Sequence, residues 1–163
     1  MSFDMWFQTV GDGHEYDFSS NIVRDVFRPY LKSDTSNGYD LSFPTGGNSI
    51  LDLDENLMIN GFGINRPSGE MLYDCLYALL LRVPGSYLFW PGGVAVSDPK
   101  RVSELPEPMI KSFAPIPVVR NGKDIIDAIH HYDKRWETAS EYDGLETQRD
   151  PTLPIYFIIN EDN

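Results

Sequence analysis

Few residues in this chain have the types and spacing that chemistry requires. The run Asp52-Leu53-Asp54-Glu55-Asn56 sets carboxylates at alternate positions. On a strand that alternation puts Asp52 and Asp54 on one face, where they would suit a hard cation. A calcium loop beginning at Asp52 would need glycine at the tight turn and a closing glutamate at its end, and those places hold Leu57 and Gly63. The run therefore reads first as a solvated hairpin turn and second as an acidic knob for an Arg or Lys of another protein.

Histidine chemistry has equally little to build on. The three histidines are His14, His130 and His131. Neighbouring rings on a helix diverge by about 100°, whereas a metal pair on one helix face needs i, i+4 spacing. Asp127 or Glu137 would form an acid–base pair with His130 or His131 only if another element supplied a pocket. The competing reading is a histidine near a helix end, complementing the macrodipole. No G-x-S-x-G occurs, and Gly46-Gly47 and Gly92-Gly93 match neither the dinucleotide fingerprint nor the P-loop. Cys75 is the only cysteine, so the chain has no internal disulfide and no thiolate zinc cage. It falls on the apolar stripe of a predicted helix and is expected in the core. Arg66 is either an anion binder or a partner in a structural ion pair.

The block PGSYLFWPGG (84–93) carries three aromatics in four residues. On a strand Tyr87 and Phe89 share one face, and Leu88 and Trp90 the other. One pair packs under the helices. If Trp90 instead faces outward beside the acids, it is the natural anchor of an interface. The residues expected to bind a partner are thus Asp52, Asp54, Glu55 and Trp90, with no catalytic residue, metal or cofactor.

Charge points the same way. Twenty-five Asp and Glu against thirteen Lys and Arg give a net charge of −12. The excess lies at the two ends: residues 1–70 hold 11 acids and 4 bases, 71–132 hold 6 and 6, and 133–163 hold 8 and 3. Such a field repels nucleic acid and anionic membrane and speeds encounter with basic proteins. The longest apolar run, around Cys75 to Val83, is broken by Arg82 and Pro84 and falls well short of the roughly 20 residues a bilayer requires. The start, MSFDMWFQ, has no basic region followed by an apolar stretch, so a cytoplasmic location is expected.

The elements that must position these residues follow from periodicity. Phe3–Val10 reads as a strand ended by Gly11-Asp12-Gly13. Ser20 is a candidate cap for a helix with Ile22, Val23, Val26, Phe27, Tyr30 and Leu31 on one stripe, in which Pro29 marks a bend or an early end. Three short runs, Tyr39–Phe43, Ser49–Asp54 and Leu57–Ile64, suggest an antiparallel meander. Ser68 is placed to cap the strongest helix, with Met71, Leu72, Cys75, Leu76, Leu79, Leu80 and Val83 inward. A buried strand Tyr87–Trp90 follows, then a proline-punctuated stretch with a helical turn near Met109–Phe113 and a short strand at Val118-Val119. A last helix begins at Asn121 or Asp124, with Ile125, Ile126, Ile129 and Tyr132 on one side. A polar loop over 138–153 precedes a terminal strand at Ile155–Ile159. Because three strands follow one another by short turns, the expected fold is α+β, one domain over 1–163. Its antiparallel or mixed sheet has about five to six strands, with two or three helices mainly on one face.

The segments SFDMWFQ, GINRP with the helix after it, PGSYLFWPGG, ELPEPMI and PIPVVRNGKDIIDAI together resemble a group of small uncharacterised bacterial proteins. That group carries SFDxxxQ, NRP, WPGG and LPxxM blocks, and the likeness spans about residues 1–130. Where the group has a DGE-like turn, this chain reads Asp12-Gly13-His14-Glu15. In size, acidity and build the group is similar in type to immunity proteins of polymorphic toxin systems. The resemblance implies a non-enzymatic cytoplasmic inhibitor that occludes the active site of a cognate basic toxin. Two other classes stand beside it: a small hydrolase or transferase using a histidine–carboxylate pair, and a structural accessory subunit.

Overall fold

The structure, a computed structural model, describes residues 3–35, 38–139 and 156–158, with 33–35, 132–139 and 156–158 described by backbone path alone. The fold is α+β, as expected, around a sheet larger than expected. Seven strands are β1 (Asp4–Thr9), β3 (Leu31–Thr35), β4 (Gly38–Ser42), β5 (Asn48–Asp52), β7 (Gly61–Asn65), β8 (Ser86–Trp90) and β9 (Gly93–Ala95). They lie in the order β3-β4-β5-β7-β1-β8-β9, every neighbouring pair antiparallel. Two short strands, β2 (Phe18–Ser19) and β6 (Met58–Ile59), pair beside it. At the other end β10 (Ile116–Val118) pairs in parallel with β11 (Tyr156–Ile158), and a bridge from Val96 to Val118 ties that pair to the end of β9.

Alternation along β1 decides which face of the sheet is dry. Met5, Phe7 and Thr9 are fully buried, while Asp4, Trp6 and Gln8 face the other way. The buried face is covered by α1 (Ser20–Phe27), α2 (Glu70–Arg82) and α4 (Gly122–Ala139). Leu72, Leu76 and Leu79 of α2 are fully buried and share the main core with Phe7, Phe62, Ile64 and Leu88 of the sheet. Each contributes about 1.5–3 kcal/mol relative to exposure.

Local chemistry sets the helix ends. Ser19, not Ser20, caps α1, its hydroxyl accepting from the Asn21 N–H at 3.3 Å. Ser20 is buried instead, and its hydroxyl donates to the Asn56 carbonyl at 2.8 Å. The helix yields to a 3₁₀ turn over Arg28–Tyr30, because Pro29 brings no N–H to continue it, and Leu31 opens β3. Ser68 does not cap α2. The residue there is Gly69, at φ 92°, and the Ser68 N–H donates to the Ser49 hydroxyl at 3.1 Å. Asn121 fulfils its expected role, accepting from the Asp124 N–H at 2.8 Å while the buried Asp124 carboxylate accepts from the Arg120 N–H at 2.9 Å. These reciprocal bonds satisfy donors that the start of α4 would otherwise leave open.

Among the described residues the other face of the sheet is covered at one end only. A 3₁₀ turn (Pro99–Glu104), α3 (Glu107–Phe113) and β10 lay Val102, Leu105, Ile116 and Val118 over Tyr87, Val94 and Val96, forming a second, smaller core. Strand β8 is therefore apolar without alternation: Leu88 and Trp90 pack into the main core, Tyr87 and Phe89 against the small one. Leu57–Ile64, expected as one strand, divides at Asn60 into β6 and β7. Of the expected 138–153 loop, 138 and 139 belong to α4, and the rest lies outside the described residues. Among the described residues no helix is long and apolar enough to cross a membrane.

Candidate functional site

Beyond the second core, no described residue covers the outer face of the sheet from β1 to β4. Registers place its side chains in rows that cross the strands. One row runs Asp52, Gly63, Trp6, Phe89, since Gly63 of β7 pairs with Asp52 of β5 and with Trp6 of β1, and Trp6 pairs with Phe89 of β8. A flanking row holds Ile50, Asn65 and Asp4, and the row on the other side Gly61, Gln8 and Tyr87. Strand β7 reads Gly-Phe-Gly-Ile-Asn, so its inward residues are apolar and two of its three outward positions carry no side chain.

Trp6 and Phe89 are both half-buried and stack with ring centroids 5.0 Å apart and planes 18° from parallel. Phe89 is held from behind by Tyr87, at 6.1 Å, and by the small core. The Tyr87 hydroxyl donates to the Gln8 side-chain carbonyl at 3.0 Å, which fixes the end of the next row. Burial, and then the Glu15 carboxylate, push the Tyr87 hydroxyl pKa above its ordinary value. Glu15 in turn accepts from the Asn60 amide at 2.8 Å. Tyr16, nearby, is raised chiefly by burial, with the Arg101 guanidinium opposing and Glu104 reinforcing that shift.

Toward β4 the face dips into a hollow of about 230 Å³ lined by Lys32, Asp40, Asn48, Ile50, Asn65 and Arg66. Arg66 adopts a left-handed backbone, φ 53°, with its N–H 3.4 Å from the Asp4 carboxylate and its carbonyl accepting from the Ser49 hydroxyl at 3.3 Å.

The residues singled out from sequence do not converge on this face. Asp52 stands on it, exposed. Strand β5 ends at Asp52, so the alternation that would have carried Asp54 to the same face stops there. Asp54 and Glu55 lie exposed in the following loop, which docks on α1 through the Arg24 guanidinium donating to the Asp54 carbonyl at 3.3 Å. The Asp54 carboxylate accepts from the Asn56 N–H at 3.0 Å, the local turn that a solvated hairpin reading implies. Trp90 is 2% exposed, in the main core, and so cannot serve as a surface anchor in this fold. The less buried member of the alternation is Phe89, half-buried and stacked on the half-buried Trp6. His130 and His131 are exposed on α4, and His14 lies in a turn closed by mutual bonds with Gly11 of 2.8 and 2.9 Å. Among the described residues no three His, Cys, Asp or Glu side chains come together as metal ligands would.

Among the described residues the face thus offers a stacked aromatic pair and exposed carboxylates, with Gly63 buried between Trp6 and Asp52. That combination suits a flat cationic group better than an anion or an aliphatic chain. Comparison with protein-family models, with curated proteins and with solved structures returns no match for this chain.

Proposed function

We propose that this protein is a non-catalytic binding protein that takes a basic protein onto the open face of its sheet. It would act as an immunity protein, neutralising a cognate toxin by covering that toxin's active site. The observation that carries the reading is the half-exposed Trp6–Phe89 stack with Asp52 in the same row, on a chain of net charge −12. Aromatic anchors in a water-excluding surround supply most of the energy of typical interfaces. A negative field supplies encounter rate and selects basic partners. Steering by the acidic segments would precede docking around Trp6.

The test is affinity capture of the tagged protein from its source cells at low and moderate salt, followed by expression of whatever is retained. The expected result is one basic protein, held stoichiometrically, that is toxic alone and harmless when co-expressed with this chain. A retained protein whose toxicity is unaffected by co-expression, or no retained protein at either salt, would remove the inhibitor reading.

A further inference from the structure

We infer that the hollow over β4 and β5 is a binding site for a carboxylate carried on a short aliphatic body. Its lining differs in sign from the rest of the outer face. Lys32 and Arg66 stand there with the amides of Asn48 and Asn65, and Ile50 supplies an apolar surface. Residues 1–70 hold only four bases. Arg24 is engaged within the fold, donating to the Tyr39 hydroxyl and the Asp54 carbonyl, and Arg28 pairs with Asp25 at 2.7 Å. The other two are Lys32 and Arg66, and among the described residues neither side chain forms an ion pair. A chain of net charge −12 thus brings two cations without a paired acid to one hollow of about 230 Å³.

Both cations sit where the backbone departs from regularity. Leu31 pairs with Leu41 and Ser33 with Asp40, so Lys32 is the extra residue of a β-bulge, a device that re-aims a side chain. Arg66 follows the last residue of β7 in left-handed backbone, φ 53°, which glycine or asparagine adopts at lower cost. Asp4 and Ser49 hold that backbone through its N–H and its carbonyl, so the arginine side chain takes no part in the bonds that fix it. Glycine would meet the needs of the fold at 66, and what arginine adds is a guanidinium at the hollow. A guanidinium fork and an ammonium match a carboxylate, and Ile50 suits the few methylenes behind it. With Asp40 in the same lining, two cations and one carboxylate leave a charge of +1. That balance matches a monoanion and disfavours a phosphate, which carries nearly two charges.

Titration of the full-length ¹⁵N-labelled protein with isovalerate, isovaleramide and inorganic phosphate, at neutral pH and constant ionic strength, tests this directly. The Arg66 side-chain N–H and the Asn48 and Asn65 amide signals should move saturably with isovalerate, while the amide and phosphate leave them in place. Lys32→Gln should weaken the isovalerate response about fivefold. Arg66→Gly should lose the response with its thermal midpoint unchanged or raised, since glycine takes positive φ without steric cost. N-acetyl-leucine then separates two sources of the same chemistry: a response equal to that of isovalerate extends the site to the carboxylate end of a polypeptide, and none restricts it to free acids. An absent isovalerate response, an equal response to isovaleramide or phosphate, or an undiminished response in either folded variant would overturn the inference. No partner protein enters the experiment, so a negative titration leaves the capture result standing, and a failed capture leaves the titration standing.

Discussion

Gly47 and Gly69 lie back to back. A Cβ on Gly47 would fall 2.5 Å from the Ser68 carbonyl oxygen and 2.7 Å from Gly69 Cα, and one on Gly69 would fall 2.5 Å from the Gly46 carbonyl oxygen. Both have positive φ, 101° and 92°. The contact locks the turn between β4 and β5 onto the start of α2, the helix that lacks a side-chain cap. Left-handed backbone alone costs an alanine about 1–2 kcal/mol, and the clash with backbone adds to it. Gly47→Ala and Gly69→Ala should each lower urea-denaturation stability by at least that much, and the double variant by less than their sum, since the first methyl already forces the two turns apart. A change below about 0.5 kcal/mol in either single variant would contradict the close approach.

Trp90 and Trp6 should separate stability from surface. Trp90→Ala opens the main core and should cost about 3–5 kcal/mol. Trp6→Ala, at a half-buried position on the outer face, should cost about 1–2 kcal/mol. Chemical denaturation of the two variants measures the difference directly, and equal losses would mean that the faces are misassigned.

Alkaline conditions should weaken the fold through α2. Burial, reinforced by the neighbouring Asp74 carboxylate, pushes the Cys75 thiol pKa from 9.0 up to about 11, and burial pushes the Tyr73 hydroxyl pKa from 10.0 up to about 12. Both folded-state values exceed the unfolded ones, so the fold favours the protonated groups. Their contribution is complete below pH 9 and is lost as pH rises through 11 and then 12. Stability measured by urea titration should decline from pH 9 upward, and Cys75→Ala should flatten the part of that decline between 9 and 11. Iodoacetamide should label Cys75 only at the rate at which the native state opens.

Neutralising Asp52, Asp54 and Glu55 together, as Asn, Asn and Gln, tests steering. The triple variant should slow association with a basic partner severalfold at low ionic strength, with the difference shrinking at high salt. Stability should move by less than about 0.5 kcal/mol, because all three side chains are exposed and an asparagine at 54 keeps the acceptor for the Asn56 N–H. Stopped-flow association across a salt series would show it. A salt-dependent rate unchanged by the substitutions would place the steering charge elsewhere, and a salt-independent rate would remove steering altogether.

The helices and strands with strong periodicity were legible in the sequence, and the faces were not. Leu72, Leu76 and Leu79 declare α2 by spacing alone. Strand β3 was hidden because Leu31 continues the helical stripe of Val23 and Phe27, and only the missing N–H of Pro29 turns the chain out of that helix. Strand β9 is three residues long, too short for any period to register. Alternation tells which side chains travel together, so the pairs Tyr87 with Phe89 and Leu88 with Trp90 were readable. Which pair faces the helices depends on where α2 lands, which is a long-range property; the structure buries Trp90 in the main core and leaves Trp6 and Phe89 half-buried on the outer face. The signal that could have pointed to the open face is Gly61-Phe62-Gly63-Ile64, glycines alternating with core residues.

The second apolar core stops at Phe89, so the sheet has three layers at one end and two at the other, and Trp6 stands on the step between them. Its ring stacks on Phe89 with centroids 5.0 Å apart. A free surface side chain gives up about 0.5–1.5 kcal/mol of rotamer freedom when anything immobilises it. For Trp6 that loss is already contained in the stability of the fold, so whatever contacts the step meets an ordered ring rather than a mobile one.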